Sequence, residues 1–469
     1  MATDAISDAG RATSRHGFAA RRRGAALSYV SLFEVLRVGP GPSSTHTAGP
    51  YHAARRFVHE LAAAGRLTHA ARLGVELYGG AACGGRDNGA AGALVAGLES
   101  RELRQCDAVT LAARLAQASA AREVALGGRH KTAFDPAADI GFRIDRALAW
   151  DGNAVRFAAF DRAGAVLADR VYLTPGDDRV LAPGEPPGPA PRVPYECASA
   201  DDLIQHCRKS GRKIAVLALA NETALRGPAE VRSRLGVLHE AMREAVSRGL
   251  DAGVSPGVHR RARIAPDRAV RLADAATPAH ERCAILALAA AERNAAGASV
   301  VAAPSNGAGG TVAGVLVHAL DAQPESADAR AVDFLATAGA VGALLRAQGL
   351  RQVGCQGEIG VASAMAAAGY TAVLGGTPHQ ILHAAETALK AHLGLGCDPH
   401  NGRIETPCID RCETAAARAC TAALAAVRVP SPPIAFDRVA ASMIESGRAL
   451  AGRFKQASLG GIALSVPDC

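Results

Sequence analysis

Three cysteines stand in segments suited to presenting a thiolate. Cys355 lies in QVGCQGEIG, Cys397 in LGLGCDPHNG and Cys408 in ETPCIDRC, each flanked by Gly or Pro at the boundary of an expected helix. Loops of this kind can bend backbone N–H groups toward sulfur, as a thiolate-bound cluster requires. The spacing is not the paired C-x-x-C of a zinc ribbon. Three ligands instead of four leave one coordination position open, which suits catalysis. A single free cysteine is commonly just buried, and Cys283, Cys412 and Cys420, on apolar helical faces, are read that way. Cys412 lies four residues beyond Cys408, on the same helix face. Tetrahedral zinc on Cys355, Cys397, Cys408 and either Cys412 or Cys469 is therefore a second chemistry open to the set.

Two polar loops could hold a small charged substrate. GPSSTHT supplies Ser43, Ser44, His46 and Thr47 ahead of an expected helix, whose first N–H groups suit an anion. His46 could carry a proton or donate a hydrogen bond. APSNGAGG offers Ser305 and Asn306 before another helix, with Gly allowing close backbone approach. Each loop alone could be an ordinary cap or turn. His392, five residues before Cys397, is read either as a pocket histidine or as a packing one.

The elements that must position these groups divide at a Pro-rich stretch. LAPGEPPGPAPRVPY (181–195) reads as an extended linker, and the boundaries are set at 1–28 (basic leader), 29–180, 181–198 (linker) and 199–469. Before the linker, PYHAARRFVHELAAAG has helical spacing, LGVELYGG reads as a strand, and AVRFAAFDRAGAVLADRVYLT as a hairpin turning near Arg162–Gly164. After it, successive segments are helical, with caps at Ser199, paired with Asp202, and at Thr377-Pro378. The fold class is α+β, an N-terminal α/β part followed by a mostly α-helical one.

Bulk composition narrows the partners. At 469 residues the chain exceeds one ordinary core. Its 49% hydrophobic and 20% charged residues suit a globular protein. Aromatics are only 4%, and abundant Ala and Gly favour close helix packing. The +8 charge is scattered along helices without interleaved aromatics, which argues against nucleic acid and suits a small carboxylate. No apolar run reaches the length of a membrane span. The leader carries Asp4 and Asp8 and lacks an apolar face, so it is expected to be disordered rather than a transit peptide. Eleven cysteines without a secretion signal argue for reduced thiols and a cytoplasmic location.

Four blocks carry a resemblance. SLFEVLRVGPGPSSTHTAGPYHAARRF, VVAAPSNGAGGTVAGVL, VGCQGEIGVASAMAAAG and LGLGCDPHNGRIETPCIDR resemble the signature blocks of the bacterial iron–sulfur L-serine dehydratases. The similarity runs from about Ser31 to the C-terminus. It implies a [4Fe-4S] cluster on Cys355, Cys397 and Cys408, with one iron lacking a protein thiolate. It implies an N-terminal domain like the allosteric substrate-binding domain of phosphoglycerate dehydrogenases, a helical catalytic domain and a homodimer. It further implies that Cys469, the last residue, reaches back to ligate the open iron until substrate displaces it. In the implied reaction the open iron acts on the serine β-hydroxyl, a base takes the α-proton, and the product decays to pyruvate and ammonia. Ser44, His46 and His392 are then the catalytic candidates; Ser43, Thr47, Asn153, Ser305 and Asn306 the substrate contacts.

The N-terminal part departs from the family. Where members carry Gly-His-Gly-Thr-Asp, GGRDNGAAGA puts Asn88 at the histidine and Ala91 at the aspartate; a His-Pro-Asn block appears as WDGNAV, with Asp151 for the histidine and Asn153 kept. Asn88 cannot carry a proton, and Asp151 is an anion where an imidazole is expected. Action on another β-hydroxy or β-substituted amino acid, or a cluster protein without turnover, are the alternatives these departures raise.

Overall fold

The computed structural model describes residues 29–469, apart from 84, 86–88, 145–152, 175–178, 186–190, 252–270, 273, 323, 349–352, 400–406, 431–432, 434, 456–459 and 466–469. The leader, Asn88, Asp151 and Cys469 lie outside the described residues.

The chain enters through the helical body. Helix α1 (Leu32–Val35) is capped by Ser31 in a capping box with Glu34, and its Leu32 and Val35 are buried in the core of the later helices. The buried Glu222 accepts from the Tyr29 hydroxyl, the Ser31 hydroxyl and the Leu32 N–H, each at 2.8 Å, which fixes this start. Strand β1 (Arg37–Pro40) then runs antiparallel to β8 (Ser299–Ala302), with Arg37 opposite Ala302 and Pro40 opposite Ser299. Residues 29–40 thus share the helical body's core, not the sheet's.

From helix α2 (Ala48–Ala63) onward the chain builds the α/β part. Strand β2 (Arg72–Tyr78) buries Leu73, Val75 and Leu77 on one face by simple alternation. Helices α3 (Ala90–Leu98) and α4 (Ala108–Ala121) follow. A β-hairpin, β3 (Glu123–Leu126) and β4 (His130–Ala133), then leads through the short α5 (Pro136–Asp139) to β5 (Ile140–Arg143). Strands β6 (Ala154–Phe160) and β7 (Val166–Leu173) form the expected hairpin, whose turn is held by Asp161 accepting from the Ala163 and Ala165 N–H groups at 2.8 and 2.9 Å. The sheet order is β3-β4-β2-β6-β7, with β5 parallel to β2. Phe57 of α2 stacks on Phe157 at 5.0 Å between ring centres, closing this core.

Leu181 is still bonded to Leu173 and Glu185 to Arg56, whereas Tyr195 is held at its N–H and carbonyl by Asn221 of the helical part. The chain passes from one core to the other between them.

Among the described residues the longer helices that follow are α6 (Ala200–Ser210), α7 (Ile214–Arg226), α8 (Pro228–Asp251), α9 (Ala279–Ala295), α10 (Asn306–Asp321), α11 (Ala327–Ala347), α12 (Ile359–Val373), α13 (Pro378–Lys390), α14 (Cys408–Ala426) and α15 (Phe436–Ala449). The capping boxes at Ser199 and Thr377 are present as expected, each worth about 1 kcal/mol. Helix α12 is apolar almost all round and correspondingly buried. Glycine lets α10 lie on α9: a Cβ at Gly314 would fall 2.3 Å from the Ala287 nitrogen. The architecture is the expected α/β part followed by a mostly helical part, with β8 as its strand partner for β1. Among the described residues no helix is long and apolar enough to cross a membrane.

Candidate active site and metal centre

Cys355 sits in a one-turn 3-10 helix that leads into α12, and Cys408 is the first residue of α14. Cys397 follows the end of α13, where its N–H donates to the Phe454 carbonyl at 2.7 Å. All three sulfurs are buried. The Cys397 and Cys408 thiols hydrogen-bond to Cys355 and hold its thiol well below the usual range, with the Arg411 charge adding to the effect. The same bonds, together with burial, push Cys397 and Cys408 up. The helix starts at α12 and α14 add partial positive charge toward these sulfurs. Three sulfurs gathered around one of their number, with Cys355 favoured as the thiolate, are a donor set that fits an iron–sulfur group.

Arg411, one turn along α14, was not singled out by sequence, yet it organises this centre. Its guanidinium donates to Cys355 Sγ at 3.3 Å, to the Gly396 carbonyl at 3.1 Å and to Asp398 at 2.8 Å. Asp398 in turn accepts from the Ile462 N–H at 3.0 Å, which docks the last described turn, Ile462–Ser465, beside Cys397. Gln356, fully buried, accepts from Gly394 N–H and the Ser446 hydroxyl and clamps the Cys355 turn. The signal for the ion pair was present in the sequence as charges next to cysteines, C-D-P-H and C-I-D-R-C.

Cys412 points elsewhere. Its thiol donates to the Gly307 carbonyl at 3.1 Å, and burial pushes it up to about 11. It is a packing thiol between α14 and α10, and that contact sets the start of α10 against the start of α14. The two polar loops meet at the same place. Ser44 donates to Asn306 Oδ1, and the Asn306 amide donates to the Pro40 carbonyl at 3.1 Å. Thr47 bonds back to the Pro40 and Ser43 carbonyls at 3.0 and 2.8 Å, shaping the 43–47 loop. Ser305 caps α10 by position, but its hydroxyl is buried with no hydrogen-bond partner among the described residues.

His46 is buried, and its Nε2 lies 2.8 Å from the Gly80 carbonyl, which assigns the proton to Nε2 and leaves the Nδ1 lone pair as acceptor. Burial pulls its pKa down, so the ring is neutral at pH 7. The Gly80 turn is shared with Asn153, whose Oδ1 accepts from Ala81 N–H at 3.2 Å. His392, just past the end of α13, hydrogen-bonds the Ala388 carbonyl of that helix at 2.9 Å and packs on Gly360; no hydrogen bond among the described residues ties it to the sulfurs. Ala91 lies in the buried first turn of α3, within the sheet core.

A second candidate metal site exists where sequence suggested only packing. Cys283, His318 and Cys420 offer one ligand atom each, all within 4.8 Å of one another.

Two family matches divide the chain at the linker. Residues 31–182 match the serine dehydratase beta chain and residues 209–463 the serine dehydratase alpha chain. Curated relatives align along nearly all of it. An L-serine dehydratase of Streptomyces coelicolor is 34% identical over 455 residues, 94% of this chain and all of that protein. The L-serine dehydratase of Mycobacterium tuberculosis is 36% identical over 454 residues, 93% of this chain and 98% of the other. L-serine dehydratase 1 of Escherichia coli is 34% identical over 456 residues, 93% and 99% respectively.

Proposed function

This chain belongs to the L-serine dehydratase family and is a carbon–nitrogen lyase, and from that premise we propose that it converts L-serine to pyruvate and ammonia with a [4Fe-4S] cluster held by Cys355, Cys397 and Cys408. The meeting of three buried cysteine sulfurs beside a second, polar loop cluster is the observation that carries this reading. When bound, such a cluster supplies Lewis acidity toward the β-hydroxyl, easing departure of hydroxide.

The remaining work falls to side chains of the chain itself. Ser43, Ser44, Thr47, Ser305 and Asn306, at the starts of α2 and α10, receive the substrate's carboxylate and ammonium. The unsatisfied Ser305 hydroxyl supports a contact completed by substrate. His46, neutral and with Nδ1 unprotonated, takes the α-proton. Asn153 braces the Gly80 turn against which His46 is oriented. His392 packs the start of α12 rather than moving a proton. The chain works as a homodimer in the cytoplasm.

Cys469 is proposed as the fourth cluster ligand in the resting enzyme. The docking of Ile462 on Asp398, next to Cys397, supports it, because the four residues after Ser465 can span about 14 Å. The deciding experiment is pyruvate release from L-serine by anaerobically reconstituted protein, with iron and sulfide measured on the same sample. Iron with pyruvate is the expected result. Iron without pyruvate from serine, but turnover of another β-hydroxy amino acid, would move the specificity; absence of iron would end the cluster reading. Cys469→Ala should keep the iron and shorten any lag at low serine, and loss of iron would make Cys469 structural.

A further inference from the structure

Twelve residues beyond Asn306 on α10 stands His318, and twelve beyond Cys408 on α14 stands Cys420. At 1.5 Å per residue each lies about 18 Å from the start of its helix. There they meet Cys283 of α9, with the three ligand atoms within 4.8 Å of one another. Cys283 and Cys420 are fully buried and share a hydrogen bond. The Tyr370 hydroxyl lies 3.3 Å from His318 Nε2, with its ring edge-on at 5.6 Å. A phenol at that nitrogen fixes the ring in the way outer partners orient metal-bound histidines.

We propose that Cys283, His318 and Cys420 form a zinc site, separate from the Cys355 centre, that ties together the ends of α9, α10 and α14 remote from the active site. The ligand set is the Cys/His chemistry that zinc takes, with one position left for water. Charge favours a divalent ion. Two thiolates and a neutral imidazole around a divalent cation sum to zero, whereas a monovalent soft cation would leave a net negative charge in an apolar core. Of the flanking charges, Arg282 donates to the Leu272 carbonyl at 2.6 Å and lies close enough to Asp321 for their charges to interact, while Arg330 donates to the Ala319 carbonyl at 2.7 Å and adds a positive charge that favours the two thiolates. Binding releases the two thiol protons. The consequence is mechanical, because the helices pinned at this end are those whose other ends carry Asn306 and Cys408.

The test is zinc uptake by the reduced full-length chain, measured by competition with a chromogenic chelator, in Cys355→Ser, which disables the other thiol centre, and in Cys355→Ser combined with Cys420→Ala or with His318→Gln. The expected result is one zinc retained by Cys355→Ser, with affinity lowered at least about a hundredfold when Cys420→Ala or His318→Gln is added to it. Zinc should also raise the thermal midpoint of Cys355→Ser and not of Cys355→Ser with Cys420→Ala. Circular dichroism of each variant shows whether it is folded, and His318→Gln, at a half-buried position, serves where Cys420→Ala fails to fold. Zinc lost in Cys355→Ser, or bound equally well by both combined variants, would overturn the proposal. So would absence of uptake after full reduction, including the case where mass spectrometry shows Cys283 and Cys420 joined as a disulfide in the untreated chain.

Discussion

Replacing Arg411 by methionine tests how the sulfur pocket is held together. The Arg411 and Asp398 side chains are only 15% and 11% exposed, so theirs is a buried ion pair. Removing the guanidinium strands a carboxylate whose remaining partner among the described residues is the Ile462 N–H. Breaking a buried pair from one side costs about 3–5 kcal/mol. With one backbone donor still on Asp398, the lower end, about 3 kcal/mol, is expected, more than a hundredfold in the folding equilibrium. The cost arises from an uncompensated charge, so Asp398→Asn should remove most of it. In that background Arg411→Met should cost about 1 kcal/mol, the size of a lost hydrogen bond. The assay is urea unfolding of the metal-free, reduced protein, followed by helical circular dichroism, for wild type, both single variants and the double. A coupling near 2 kcal/mol is the expected outcome. Equal losses from Arg411→Met in both backgrounds would refute the argument and reduce Arg411 to a packing residue.

Two further predictions follow from buried polar groups. Ser305→Ala removes a hydroxyl that has no partner among the described residues, so stability should stay level or rise by about 1 kcal/mol. The KM for serine should rise about tenfold, the loss of one substrate hydrogen bond; a destabilised variant with unchanged KM would remove Ser305 from the substrate contacts. Burial lowers the pKa of both His46 and His392 below the ordinary 6.5. The unfolded chain then binds protons first as pH falls, so their contribution to stability is present above 6.5 and is lost as pH drops toward their folded values. Thermal midpoints should therefore fall between about pH 7 and pH 5, and less steeply in His46→Gln and His392→Gln. An unchanged slope in both variants would contradict the burial argument.

Local pattern made much of this protein legible. Alternation in RLGVELY, the turn DRAGA, and caps such as S-A-D-D and T-P-H-Q act within a few residues, so strands, hairpin and helix starts could be read directly. The three cysteine segments also announced themselves, since Gly and Pro beside Cys restrict the backbone wherever the chain goes. What sulfur, hydroxyl and imidazole groups face is set by packing between elements distant in sequence. Cys408 and Cys412 share one helix face, yet Cys408 meets Cys355 while Cys412 bonds Gly307 in the first turn of α10. Cys283, His318 and Cys420 are 35 and 102 residues apart in turn, on helices that read as plain apolar faces. The entry of residues 29–40 into the helical core through Glu222 was equally hidden. The sequence by itself determined the local elements and the thiol-bearing loops, because those depend on backbone preference and short periodicity. Which groups share a site was decided by tertiary structure alone, because burial and hydrogen-bond partners exist only once the helices have packed.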